Sequence, residues 1–132
     1  MNNIYINISL LLSIVFLSGC IPKPMYYWEN YSQTLYHYQK YPSDDTRLRH
    51  FTELEHIINI SNENEVRVPP GVYAELGYLY MQKNMSQDAI HFFCKEKSIY
   101  PEASVFMNRL ISGHIRPGDN TPIDASEVEC KQ

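Results

Sequence analysis

Five histidines, three cysteines and fifteen carboxylates are the side chains of this 132-residue sequence suited to acid–base, metal or nucleophilic chemistry. The histidines stand at 37, 50, 56, 91 and 114. No two are four apart, so no helix presents a pair to one metal ion, and no H-E-x-x-H occurs. Histidines so placed are expected at the surface or half-buried on helices. Glu53 and Glu55 are two apart and do not share a helical face, and Asp44-Asp45 suits a helix N-terminus. There is no glycine-rich phosphate loop and no nucleophile elbow. These patterns point to no catalytic set, no metal site and no cofactor. Tyr26, Tyr27, Trp28 and Tyr31 form an aromatic run that could stack on a sugar. Core packing and contact with a membrane interface are the favoured readings of that run.

The elements that would position such residues read as helices. Apolar residues make up 44% of the chain and charged residues 20%, the balance of one small folded domain. A net charge of -4 argues against electrostatic binding to nucleic acid. Trp28, Tyr31, Leu35 and Tyr38 recur at three- and four-residue steps, predicting a helix over Tyr26–Tyr41 that Pro42 ends. A second helix is expected from Asp45 to Ile60, capped by Ser43 or Asp44, with Leu48, Phe51, Leu54, Ile57 and Ile58 as its apolar stripe. Ser61–Val68 reads as a loop. Pro70 is expected at the first position of a third helix reaching Lys83. Ser86 is expected to cap a fourth that ends near Tyr100. A fifth runs from Glu102 to Ser112, with Val105, Phe106, Leu110 and Ile111 as its apolar residues and Gly113 as its stop. No run alternates with the period of a strand. The fold class expected is all-α, with about five helices over 26–113 and a flexible tail over 114–132.

The first residues set a compartment. Ile8–Leu17 is an uncharged, mostly apolar run that includes Ser9 and Ser13, too short for a mature membrane span and suited to the core of a secretory signal. Leu17-Ser18-Gly19-Cys20 follows it and resembles the lipobox of bacterial lipoprotein precursors. In that resemblance residues 1–19 are a signal peptide, Cys20 carries the lipid, and 20–25, with Pro22 and Pro24, is a short stiff tether. One departure is the absence of Lys or Arg before the apolar run. Ile21, where an Asp would signal retention at the inner membrane, implies the outer membrane. Cys94 and Cys130 are the remaining cysteines. In an oxidising compartment they either pair, tying the tail to the domain, or stay as two free thiols.

Pro70–Ala103 holds Tyr73-x₂-Leu76-Gly77-x₂-Tyr80, Ala89-x₃-Phe93 and Pro101. It resembles the tetratricopeptide repeat, in which small residues let two helices approach and large ones fill their seam. Glu96 departs from that pattern, standing where a small residue is usual, and is expected to loosen packing at the end of the fourth helix. One repeat cannot bury its own face, so Tyr26–Ile60 must act as a degenerate first unit and Glu102–Ser112 as a capping helix. In the repeat register Ala74, Tyr78, Met81 and Gln82 would line a partner-binding groove. They could equally pack on the N-terminal hairpin.

Three stretches also resemble a family of small bacterial lipoproteins classified as domain of unknown function 4810. They are Tyr27–Tyr31, Val68–Tyr78 and Glu96–Met107. That family brings no catalytic residues. Its resemblance implies partners among other envelope proteins, including a curli-secretion-type pore lipoprotein, in an assembly or secretion complex. The expected function is a lipid-anchored outer-membrane adaptor facing the periplasm. The alternative is a peptidoglycan- or glycan-binding module that uses the Tyr-rich first helix.

Overall fold

A computed structural model describes residues 23–113 and Cys130. The leader 1–19, Cys20 and most of the tail lie outside the described residues. Those described form five α-helices: α1 (Tyr31–Lys40), α2 (Asp44–Glu63), α3 (Val72–Gln82), α4 (Ser86–Ile99) and α5 (Ser104–Ser112). A 3₁₀ turn, Pro101–Ala103, leads into α5. No strand occurs among the described residues, so the fold is all-α.

Local chemistry explains the helix ends, several of which differ from expectation. Helix α1 starts five residues later than predicted. Glu29 takes a positive φ of 38°, which breaks helical progression. The Glu53 carboxylate then accepts the Asn30 N–H at 2.8 Å and fixes the new start. Trp28 therefore precedes the helix instead of sharing its stripe. Helix α2 is longer than predicted. Ser43 and Thr46 form a reciprocal capping box, and the helix continues to Glu63 through residues assigned to a loop. Pro70 sits at the corner of a turn, not at the first helical position. Gly71 follows at φ +89°, and the Val72 N–H reaches Pro69 O at 3.3 Å. That is type II geometry, which places proline before a left-handed glycine. Met85, not Ser86, occupies the cap of α4. Gly113 has a right-handed φ of -70° and is not a left-handed stop.

Two apolar clusters hold the helices together. The first joins Phe51, Leu54 and Ile57 of α2 to Val72, Tyr73, Leu76 and Leu79 of α3. The second joins Ala89 and Phe93 of α4 to Met107 and Ile111 of α5. Tyr80 packs against both, stacking on Phe92 at 5.2 Å and meeting Phe51 edge-on at 5.1 Å. Gly77 permits the tight α3–α4 crossing. A Cβ there would stand 2.8 Å from a Phe93 ring carbon and 3.1 Å from Ala89 O. Two stripe assignments change. Leu48 is 59% exposed while His50 is fully buried in its place, and Val105 and Phe106 are 68% and 60% exposed while Met107 is buried. Burial of Met107 and Ile111, four apart, turns the neighbouring Val105 and Phe106 outward.

Candidate interaction surfaces

The polar side chains at the centre of the molecule lock its hairpins together. His50 projects from α2 between the Tyr31 and Tyr38 rings, at centroid distances of 5.6 and 5.7 Å. Its Nε2 donates to Glu75 Oε1 on α3 at 3.0 Å, since a carboxylate oxygen only accepts. The Tyr31 hydroxyl donates to the other oxygen of Glu75 at 2.8 Å. Burial, reinforced by that carboxylate, pushes the Tyr31 pKa up. Nδ1 of His50 lies 2.9 Å from Thr34 Oγ1. A hydroxyl, imidazole and carboxylate in line resemble a nucleophile with its base and orienting group. Here the Thr34 hydroxyl also lies within bonding distance, 3.1 Å, of Tyr31 O in its own helix. The imidazole is sealed from solvent. The arrangement suits bonding between helices better than attack on a substrate.

Seven residues along, the Tyr38 hydroxyl donates to Gln82 Oε1 at 3.4 Å. Tyr31–Glu75 and Tyr38–Gln82 share a sequence separation of 44, so α1 and α3 run side by side in the same direction.

A second lock ties α4 to the start of α3. Glu96 is buried, and its Oε1 accepts the Gly71 N–H at 2.7 Å. Burial pushes its pKa up. The backbone N–H groups of Gly71, Ala74 and Tyr73 oppose that rise. Glu96 thus caps a neighbouring helix, whereas its departure from the repeat pattern suggested looser packing. The Tyr100 hydroxyl adds a buried bond to Val68 O at 2.7 Å. Val68–Tyr78 and Glu96–Met107, separate in sequence, meet through these bonds.

The residues expected to line a groove divide. Ala74 and Met81 pack on the α4–α5 cluster, Gln82 is engaged by Tyr38, and Tyr78 is 46% exposed. Cys94 and Cys130 are joined by a disulfide with their Cα atoms 5.5 Å apart. A groove of about 870 Å³ opens between α1 and α2. Gln33, Thr34, His37, Arg49, Thr52 and His56 are among its lining residues. Sequence reasoning misses the central lock because an isolated histidine on a helix points to a surface or half-buried position. The spacing of His50 from Leu54, Ile57 and Ser61 follows the helical period and places it on the buried face. Among the described residues no group of three or more His, Cys, Asp or Glu side chains could hold a metal ion. Nor is any described helix long and apolar enough to cross a membrane.

These features define a class: an all-α array of helical hairpins whose buried polar groups join one hairpin to the next. Within that class the chain belongs to the family described as domain of unknown function (DUF4810), whose model matches residues 25–110. No curated protein and no solved structure matches the chain.

Proposed function

We propose that the protein is a non-catalytic adaptor, anchored to the bacterial outer membrane by lipid on Cys20 and facing the periplasm. It serves an envelope assembly or secretion complex. The observation that carries this reading is Leu17-Ser18-Gly19-Cys20 directly after an apolar run of secretory length. The helical array supports it. Parallel α1 and α3 are what successive tetratricopeptide-like hairpins would give, and rigid hairpins present fixed contact surfaces. Tyr78, held between the packed Ala74 and Met81, is a large amphipathic side chain suited to a protein interface. Lipid attachment confines such an adaptor near its partners and raises their effective concentration.

Affinity capture from detergent-solubilised envelopes tests the reading. A partner retained by the parent chain and lost with Tyr78→Ala is expected. Equal capture by both chains removes Tyr78 from the interface. Absence of any captured envelope protein argues against the adaptor role.

The α1–α2 groove favours a second reading, a glycan-binding module, because amides, hydroxyls and imidazoles line it. Sedimentation with purified peptidoglycan, lost with Thr52→Ala in a protein of unchanged helicity, would support that reading over the adaptor.

A further inference from the structure

The chain docks on the helices before α1 begins. Lys23 Nζ donates to Asn64 O, just past the C-terminus of α2, at 2.6 Å. The Asn30 N–H reaches Glu53 further back along α2. Residues 23–30 therefore run as a strap antiparallel to the second half of α2, with their entry at its C-terminal end. Two large hydrophobic side chains of this strap are exposed, Met25 at 75% and Trp28 at 41%. Trp28 leans on Tyr26 and Tyr31, with centroids 6.4 and 5.1 Å away.

Chain length determines what this strap can reach. Only Ile21 and Pro22 separate Cys20 from Lys23, so a lipidated Cys20 lies at most about 11 Å of chain from a docked residue. Met25 lies within about 18 Å and Trp28 within about 29 Å of it. A domain held this closely cannot tumble freely above the bilayer. It must bring the strap end near the headgroups. Met and Trp there have the chemistry of an interface anchor, with apolar bulk and, for Trp, an N–H that stays hydrated.

We propose that residues 23–28 form a membrane-docking surface, with Met25 and Trp28 entering the headgroup layer of the bilayer that holds the Cys20 lipid. This inference rests on the lipidation reading above. The surface fixes the array with the C-terminal end of α2 towards the membrane, leaving Tyr78 and α5 to other partners.

Trp28 is the single tryptophan of the chain, so its fluorescence reports this surface alone. Cys94 and Cys130 are paired, which leaves Cys20 as the free thiol. The chain from Cys20 onward, coupled there to a maleimide lipid, is placed in vesicles of phosphatidylethanolamine and phosphatidylglycerol. Relative to the uncoupled chain, Trp28 emission should move to shorter wavelength and iodide quenching should fall about twofold or more. Brominated lipids should quench it. Met25→Glu, at an exposed position, should reverse part of the protection with helicity unchanged. Emission and iodide quenching identical with and without the lipid would overturn the proposal. Mass analysis of the chain from cells is read separately. An unmodified Cys20 there would refute natural anchoring, whatever the vesicles show.

Discussion

The Glu96 carboxylate accepts the backbone N–H of Gly71, 25 residues earlier, and so caps a helix to which it does not belong. Gly71 has a left-handed φ and no side chain able to cap α3. The start of that helix carries unpaired N–H groups. Glu96 supplies the missing acceptor from across the hairpin.

Glu96→Ala should therefore destabilise the protein by about 1–3 kcal/mol, from the lost cap and the exposed donor. Urea denaturation measures this. A loss within error of zero would mean that water replaces the carboxylate at no cost.

Glu96 also predicts a dependence on pH. Burial raises its folded-state pKa above the ordinary 4.5, so the folded state holds the proton more tightly than the unfolded state. Its contribution is fully present below the unfolded value and declines as pH rises through the raised one. Relative to Glu96→Gln, the parent chain should be most stable below the ordinary carboxylate value and lose ground towards neutral pH. Urea midpoints of both chains across that range check it. A constant difference would contradict the raised pKa.

Gly77→Ala should cost about 1–3 kcal/mol by overpacking. The new methyl would press on the Phe93 ring and on Ala89 O, and backbone cannot swing aside as a long side chain can. Thermal melting is the measurement. An unchanged midpoint would show that α3 and α4 separate freely.

The contact of Tyr31 with Glu75 should appear as coupling between hairpins. Tyr31→Phe and Glu75→Gln, singly and together, should give an interaction energy of about 0.5–3 kcal/mol in a double-mutant cycle. Strict additivity would mean that the 2.8 Å bond adds nothing beyond its solvated parts.

Reduction of Cys94–Cys130, which closes a separation of 36 residues, should lower stability by about 2–4 kcal/mol. Melting with and without reductant, compared with Cys130→Ser, separates loss of the bond from effects of the reagent.

Helical periodicity by itself determined the class of fold. Apolar residues at three- and four-residue steps, broken by Pro42, Pro69-Pro70 and Pro101, can bury one face only as helices. Tyr73, Leu76, Gly77, Ala89 and Phe93 revealed the close α3–α4 pairing for the same reason, since small and large residues at those spacings leave one way to pack. What only tertiary structure decided concerns polar groups. His50, Glu75 and Glu96 carry no local signal of their partners, because those partners stand 16 to 44 residues away and each bond forms only after the apolar seams have closed. The late start of α1 has the same origin, as Glu53 of another helix takes the Asn30 N–H. Val105 and Phe106 turned outward because one side of a nine-residue helix could be covered, and Met107 with Ile111 took it. Burial patterns are written locally along a chain. Hydrogen bonds between helices depend on which surfaces meet.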